Sequence, residues 1–173
     1  YLRPWVKKKK AWAQQLMGQH YRDGRGVKQS YEMARMLYEL AAQQGDASAM
    51  SSLGFMYYHG KGVEQSYEKA FEYYEQAAQL GDAGAQYHLG NMYAKGEGVK
   101  QSFLKAKELY KLAIQQGHAN ATLNLGGLYL NGSGVEKDIA KARDLFIKAE
   151  APGDEKATKY LKIIIFIIIV TLV

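Results

Sequence analysis

Two stretches have the spacing of a serine nucleophile with a lysine partner, Ser66-Tyr67-Glu68-Lys69 and Ser102-Phe103-Leu104-Lys105. In penicillin-binding enzymes a Ser-x-x-Lys pair supplies the attacking hydroxyl and a basic amine one helical turn away. The companion Ser-Asp-Asn and Lys-Thr-Gly stretches of that chemistry are missing from this chain. Gly24-Arg25-Gly26 and its later copies resemble phosphate-cradling glycine loops, but such loops follow a strand and open a helix. Here a helical pattern comes before each loop. The four histidines, His20, His59, His88 and His118, show no His-Glu-x-x-His spacing. With no cysteine in the chain, structural disulfides and thiolate metal sites are excluded. These motifs predict no catalytic residue, no cofactor and no metal.

Register accounts for the same residues better. Slid by 36 residues, the sequence falls on itself. Gly54 falls on Gly18, Gly90 and Gly126, and Tyr57 on Tyr21, Tyr93 and Tyr129. The trio Gly60, Gly62 and Val63 recurs as Gly24, Gly26, Val27, as Gly96, Gly98, Val99 and as Gly132, Gly134, Val135. A fixed period in this range marks a stacked-repeat architecture, in which each unit buries its apolar face against its neighbours. Both Ser-x-x-Lys serines then stand at one helix-start position, with Met33 in the lysine column of the first copy. His20 shares a column with Met56, Met92 and Leu128 and reads as a partly buried core histidine. His118 replaces a helix cap. His59 and His88 stand in columns that vary freely, where a surface role is expected.

Each unit splits into two helical patterns. Ala49, Leu53, Met56 and Tyr57 recur at i, i+4, i+7 and i+8, an amphipathic stripe. Asp46 is placed to cap it behind Gly45, with Asp82 and Asp154 in register and His118 as a poorer cap. The second pattern is Tyr67, Ala70, Phe71, Tyr74, Ala77, Ala78. Ser66 marks its start, with Ser30, Ser102 and Asp138 in register. Gly81, Gly45, Gly117 and Gly153 mark its end. The Gly-x-Gly-Val connection permits positive φ, and its valine is expected to fold back onto the helix pair. Gly54 and its copies lie inside the first helix, where glycine costs about 1 kcal/mol against alanine. Their recurrence predicts close approach of a neighbouring helix to bare backbone, as do the alanines at 70 and 77.

The pattern Ala-x-x-x-Leu-Gly-x-Met-Tyr-x-x-Gly-x-Gly-Val, followed by Ala, paired aromatics, Ala-Ala and Gly, resembles the Sel-like repeat, a cousin of the tetratricopeptide repeat. The resemblance covers residues 11–153 as four units, about 11–45, 46–81, 82–117 and 118–153. It implies an all-α, right-handed superhelical α-solenoid of antiparallel helix pairs that serves as an adaptor in signalling, quality control or multiprotein assembly. Two departures stand out: Lys9-Lys10 replaces the Gly-Asp entry of the first unit, and Lys162 stands where a fifth unit would have its packing glycine.

The net charge of +6 is local, since Arg3 and Lys7-Lys8-Lys9-Lys10 supply five charges and leave 18 basic against 17 acidic groups. A nucleic-acid-binding solenoid would show a basic stripe along the array, so nucleic acid is not the expected partner. Residues 1–10 read as a basic segment or the remnant of a preceding helix. The start at Tyr1 is expected of a fragment or a processed product, and no apolar signal stretch follows the basic run. Residues 154–173 read as a capping helix running into an apolar tail. That tail, Ile163 to Val173, is shorter than the roughly 20 residues a membrane-crossing helix needs. It fits the last helix covering the array or a partner, the start of a membrane anchor, or a strand-prone extension.

Columns that packing does not fix are the ones free to meet a partner. On the first helices they give Trp12, Gln15, Gln19, Arg22 and Asp23, then Ser48, Ser51, Phe55, Tyr58 and His59. The later units contribute Gly84, Tyr87, Asn91, Ala94 and Lys95, then Asn120, Leu123, Gly127, Leu130 and Asn131. The resemblance places these columns on a concave face. A protein or peptide partner is therefore expected at Ser51, Phe55, Tyr58, His59, Tyr87, Asn91, Lys95 and Asn131. Phe55, Tyr58 and Tyr87 would form its aromatic patch, and Arg22, Lys95 and Asn131 would anchor backbone or carboxylate. The alternative partner is a membrane or an integral membrane protein, reached through the tail.

Overall fold

The computed structural model describes residues 10–149 and 155–172, with side chains from 158 to 166 in the second segment. Among these residues the regular structure is helical throughout: α1 (Ala11–Asp23), α2 (Tyr31–Ala42), α3 (Ala47–His59), α4 (Tyr67–Gln79), α5 (Ala83–Lys95), α6 (Phe103–Gln115), α7 (Ala119–Asn131), α8 (Ile139–Ala149) and α9 (Glu155–Leu172). Each odd-numbered helix up to α7 packs most closely on the even one after it, and each pair then packs on the next. The helices thus stack as hairpins in an α-solenoid. Expectations for residues 1–9, Gly153 and Asp154 fall outside the described residues.

Local chemistry sets the helix ends. Asp46 and Asp82 accept from the backbone N–H groups of Ala49 and Ala85 at 2.9 and 2.7 Å. Ser30, Ser66 and Ser102 do the same for Met33, Lys69 and Lys105. His118 caps α7 through Nδ1, at a longer 3.3 Å. Lys10, at the entry to α1, has no side-chain capping bond, and the Ala13 N–H that an oxygen side chain would take donates instead to the Lys10 carbonyl at 3.0 Å.

Inside each hairpin, one contact recurs. A Cβ built on Gly18, Gly54, Gly90 or Gly126 would come within 2.6–2.7 Å of the ring of Tyr38, Tyr74, Tyr110 or Phe146, respectively. The ring lies 20 residues after the glycine in every case, on the second helix of the same hairpin. The close approach expected from sequence is therefore an aromatic face laid on bare helix backbone. Ala34, Ala70, Ala106 and Ala142 are buried beside these rings, as are Ala41, Ala77, Ala113 and Ala149.

Between hairpins the Gly-x-Gly turn makes the contact. Gly62 has φ +70°, and a Cβ there would collide with the Cβ of Tyr31, the first residue of the preceding second helix. Gly98 stands in the same relation to Tyr67, and Gly134 to Phe103. At Gly26, in the first repeat, a Cβ would meet nothing within 4 Å. The second glycine of the turn thus makes room for the neighbouring repeat as well as permitting the turn. Val63, Val99 and Val135 fold onto the core as expected.

Overpacking a filled site costs roughly 1–3 kcal/mol, and removing a helical glycine returns about 1 kcal/mol. Gly54→Ala should therefore lower the unfolding free energy, by up to about 2 kcal/mol in urea denaturation. Gly127→Ala, where a Cβ meets nothing within 4 Å, should raise it by about 0.5–1 kcal/mol.

Candidate functional site

The Ser-x-x-Lys pairs are built into the framework. Ser66 Oγ accepts from the Lys69 backbone N–H and bonds Glu68 Oε2 at 3.1 Å. The Lys69 ammonium lies over the ring of Tyr57, 5.3 Å from its centre. Lys105 lies over Tyr93 at 4.8 Å and Lys141 over Tyr129 at 4.5 Å. Each lysine therefore pins its own second helix to the tyrosine of the helix before it, through a cation–π contact. The serine caps the helix, and the amine points to an aromatic face.

His20 is half-buried and its Nδ1 lies 2.7 Å from the Arg25 carbonyl oxygen, so it fastens the first turn. His59 is exposed at the end of α3. The surface role expected for His88 is not what the structure shows. Its ring stacks on Tyr74 at 5.0 Å and meets Tyr87 edge-on. Burial, then the nearby His118 and His59, push its pKa down to about 4. Sequence variation in that column reflects different packing solutions, since Ser52 and Asn124 occupy the same register.

The expected partner-facing residues lie on three first helices, and most are tied to one another. Ser51 is half-buried on α3 beside Gly84 of α5. The Phe55 ring lies 4.3 Å from that of His59. Tyr58 meets Tyr67 edge-on, donates to Glu97 Oε2 at 2.5 Å and accepts from the Lys95 ammonium at 3.1 Å. Lys95 lies 3.5 Å from Glu97 Oε1. Burial foremost, and then the Glu97 hydrogen bond, hold the Tyr58 hydroxyl above its ordinary pKa. The bond to Tyr58 raises that of Lys95. Tyr87 stacks on His118 at 4.5 Å, which links α5 to the start of α7. Asn91 Oδ1 accepts from the Tyr110 hydroxyl at 2.7 Å and from Asn124 Nδ2 at 2.6 Å.

The fourth repeat departs from expectation. Leu123 and Leu130, placed among the open columns, are 4% and 8% exposed and belong to the core cluster that reaches Ile164 of α9. Asn131 stays exposed beyond them. The open aromatic stretch therefore lies on α3 and α5. Sequence reasoning passed over Glu97 and Asn124. Both stand in columns that change type between repeats, and a charge at the centre of the Gly-x-Gly turn was the signal for Glu97.

The family model described as the Sel1 repeat matches residues 13–46, 47–82, 83–118 and 119–154. Among solved structures, a Sel1 repeat protein from Oxalobacter formigenes matches with a TM-score of 0.83 at 33% identity, over 88% of this chain and 61% of that one. The c5321 protective antigen of uropathogenic Escherichia coli, which displays an SLR fold, matches with a TM-score of 0.82 at 33% identity, over 92% of this chain and 34% of that one. Cysteine rich protein B of Helicobacter pylori matches with a TM-score of 0.57 at 27% identity, over 79% of this chain and 98% of that one. The chain thus spans about three-fifths and one-third of the first two. A search of curated proteins finds no match.

His88 generates a prediction about acid. Its folded pKa lies below the ordinary 6.5, so the stability it supports is complete above pH 6.5 and is lost as pH falls toward about 4. The loss amounts to up to about 3 kcal/mol. In urea denaturation at pH 7, 5.5 and 4, His88→Phe should keep the ring stack and lose less stability than the parent over that interval.

Proposed function

The chain belongs to the Sel1 repeat family, and from that premise we propose that it is a noncatalytic scaffold that holds a segment of a protein partner along the face of its first helices. Sel1 repeat proteins are generally protein-interaction scaffolds, and their fold is typically noncatalytic. The observation that carries the proposal is the half-buried aromatic stretch Phe55, Tyr58 and Tyr87 on α3 and α5. Large aromatics at the centre of a face are the usual anchors of binding energy. Here they are already fixed, Tyr58 by Lys95 and Glu97 and Tyr87 by His118. A face set before the partner arrives loses little ordering entropy on binding.

A second reading has its own observation. On α9, Ile163, Ile165 and Phe166 are 38%, 57% and 68% exposed, next to the exposed Lys159 and Lys162. Among the described residues no helix is long and apolar enough to cross a membrane, so this reading is one of docking to a bilayer or an integral partner.

Affinity capture from native extract, quantified by mass spectrometry, tests the first reading. Phe55→Ala with Tyr87→Ala should reduce the captured partner at least about tenfold, as expected when central anchors are lost. Leu112→Ala, at an exposed position of α6, should leave capture unchanged. Equal capture by a folded double variant would remove the face from the interaction. Flotation with liposomes tests the second reading: deletion of residues 163–173 should abolish co-flotation, and equal partitioning would discard it.

A further inference from the structure

The corner that Glu97 fills between the second and third repeats recurs one repeat earlier with different chemistry. In register, Arg22 stands for Tyr58, His59 for Lys95 and Lys61 for Glu97. One repeat later the same positions are Ala94, Asn131 and Ser133. The three junctions are therefore basic, internally neutralised and uncharged, in chain order.

At the basic junction lies a cleft of about 530 Å³, walled by Arg22, Asp23, Gln29, Tyr31, Phe55 and Lys61. Its one acidic wall residue is already engaged. Asp23 accepts two hydrogen bonds from Arg22, at 2.7 and 3.1 Å, and lies 3.2 Å from Arg25. Among the described residues no carboxylate pairs with Lys61 within ion-pair distance. Burial and then the charges of Lys61 and Lys95 hold His59, beside this corner, below its ordinary pKa, so it adds no fixed charge at neutral pH. Unbonded N–H groups remain on Arg22, because a guanidinium has five donors and Asp23 takes two.

We propose that this cleft binds a side-chain carboxylate of the partner segment, with an adjacent apolar residue of that segment lying on Phe55 and Tyr31. The chain supplies its own precedent, since Glu97 places a carboxylate in the equivalent corner, where it accepts from Tyr58 and faces Lys95. Lys61 inverts that charge, and the partner replaces the missing acid. This rests on the proposed use of the first-helix face and adds to it the class of segment, an acidic one with a neighbouring aromatic or aliphatic residue.

The test is an NMR titration of the full chain with acetyl-Ala-Phe-Ala-Glu-Glu-Ala-amide, its Gln-Gln counterpart and inorganic phosphate. The acidic peptide should shift the resonances of Tyr31, Phe55 and Lys61 and bind about tenfold more tightly than the Gln-Gln peptide, as a charge-assisted hydrogen bond gives. Lys61→Gln should abolish that preference. Lys61→Glu, which supplies the acid from within, should do so too, whereas Lys148→Gln, at an exposed position of α8 away from this face, should change it by less than about twofold. Equal affinity for the two peptides, shifts absent from the cleft, an equal loss in Lys148→Gln, or phosphate matching the peptide would each overturn the proposal. Shifts at Phe55 and Tyr87 that do not depend on Lys61 would sink the carboxylate site alone and leave the scaffold reading standing. No shifts anywhere on α3 and α5, together with unchanged capture by the Phe55 and Tyr87 double variant, would sink both.

Discussion

An aromatic ring resting on the bare backbone of a helical glycine is the constraint on which the rest of this molecule depends. The contact sets the distance between the two helices of each hairpin, because a single methyl group at Gly18, Gly54, Gly90 or Gly126 would collide with the ring. Four hairpins closed to the same spacing present similar outer surfaces, so each can stack on the next in the same way. The stacking contact then carries its own glycine, the second of the turn, pressed against the first residue of the previous second helix. Regularity thus comes from two glycine contacts, one within and one between repeats. In a quasi-one-dimensional array such nearest-neighbour terms are nearly the whole of the stability.

Much of this was legible in the residues themselves. The period of 36, the capping Asp and Ser residues and the mid-helix glycine report local geometry that must repeat, so they leave a visible register. The ring opposite each glycine was harder to see, because the column holds Tyr38, Tyr74, Tyr110 and Phe146 among many other aromatics. The hydroxyls differ too: that of Tyr110 reaches Asn91, that of Tyr74 is buried without a partner, and Phe146 has none. A column fixed by ring shape tolerates that difference. The candidate face was less legible. A column that changes type reads as free, yet His88 is stacked on Tyr74 and Leu123 and Leu130 are buried. Variation between repeats shows that packing does not dictate one residue type. It does not show that the position is open to solvent.

The same reasoning explains why the residues of the candidate face come as linked groups. Lys95 and Glu97 stand 37 and 39 positions after Tyr58, one repeat plus a short step, and meet it because adjacent first helices run side by side. A change at one junction leaves the frame of the others intact, since the glycine contacts hold spacing independently of the corner residues. The array can therefore vary charge along its face without disturbing its fold. The basic, neutralised and uncharged junctions are three settings of one geometry.

Helix α9 lacks the central constraint. Lys162 occupies the register of the ring-bearing glycine, and a bulky side chain there bars another helix from seating an aromatic ring as the other four do. Ile164, one step before the Tyr129 register, is still buried against the preceding repeat, and Tyr160 stacks on Phe146 at 4.7 Å. The face toward the preceding hairpin is thus satisfied. The opposite registers are not: Ile165 and Phe166 stand where Tyr129 and Leu130 are buried one repeat earlier, and both are more than half exposed. Docking on the preceding hairpin therefore does not require the glycine: Ile164 and Tyr160 seat α9 through the registers the rest of the array uses, and only the ring-on-glycine contact is replaced at Lys162.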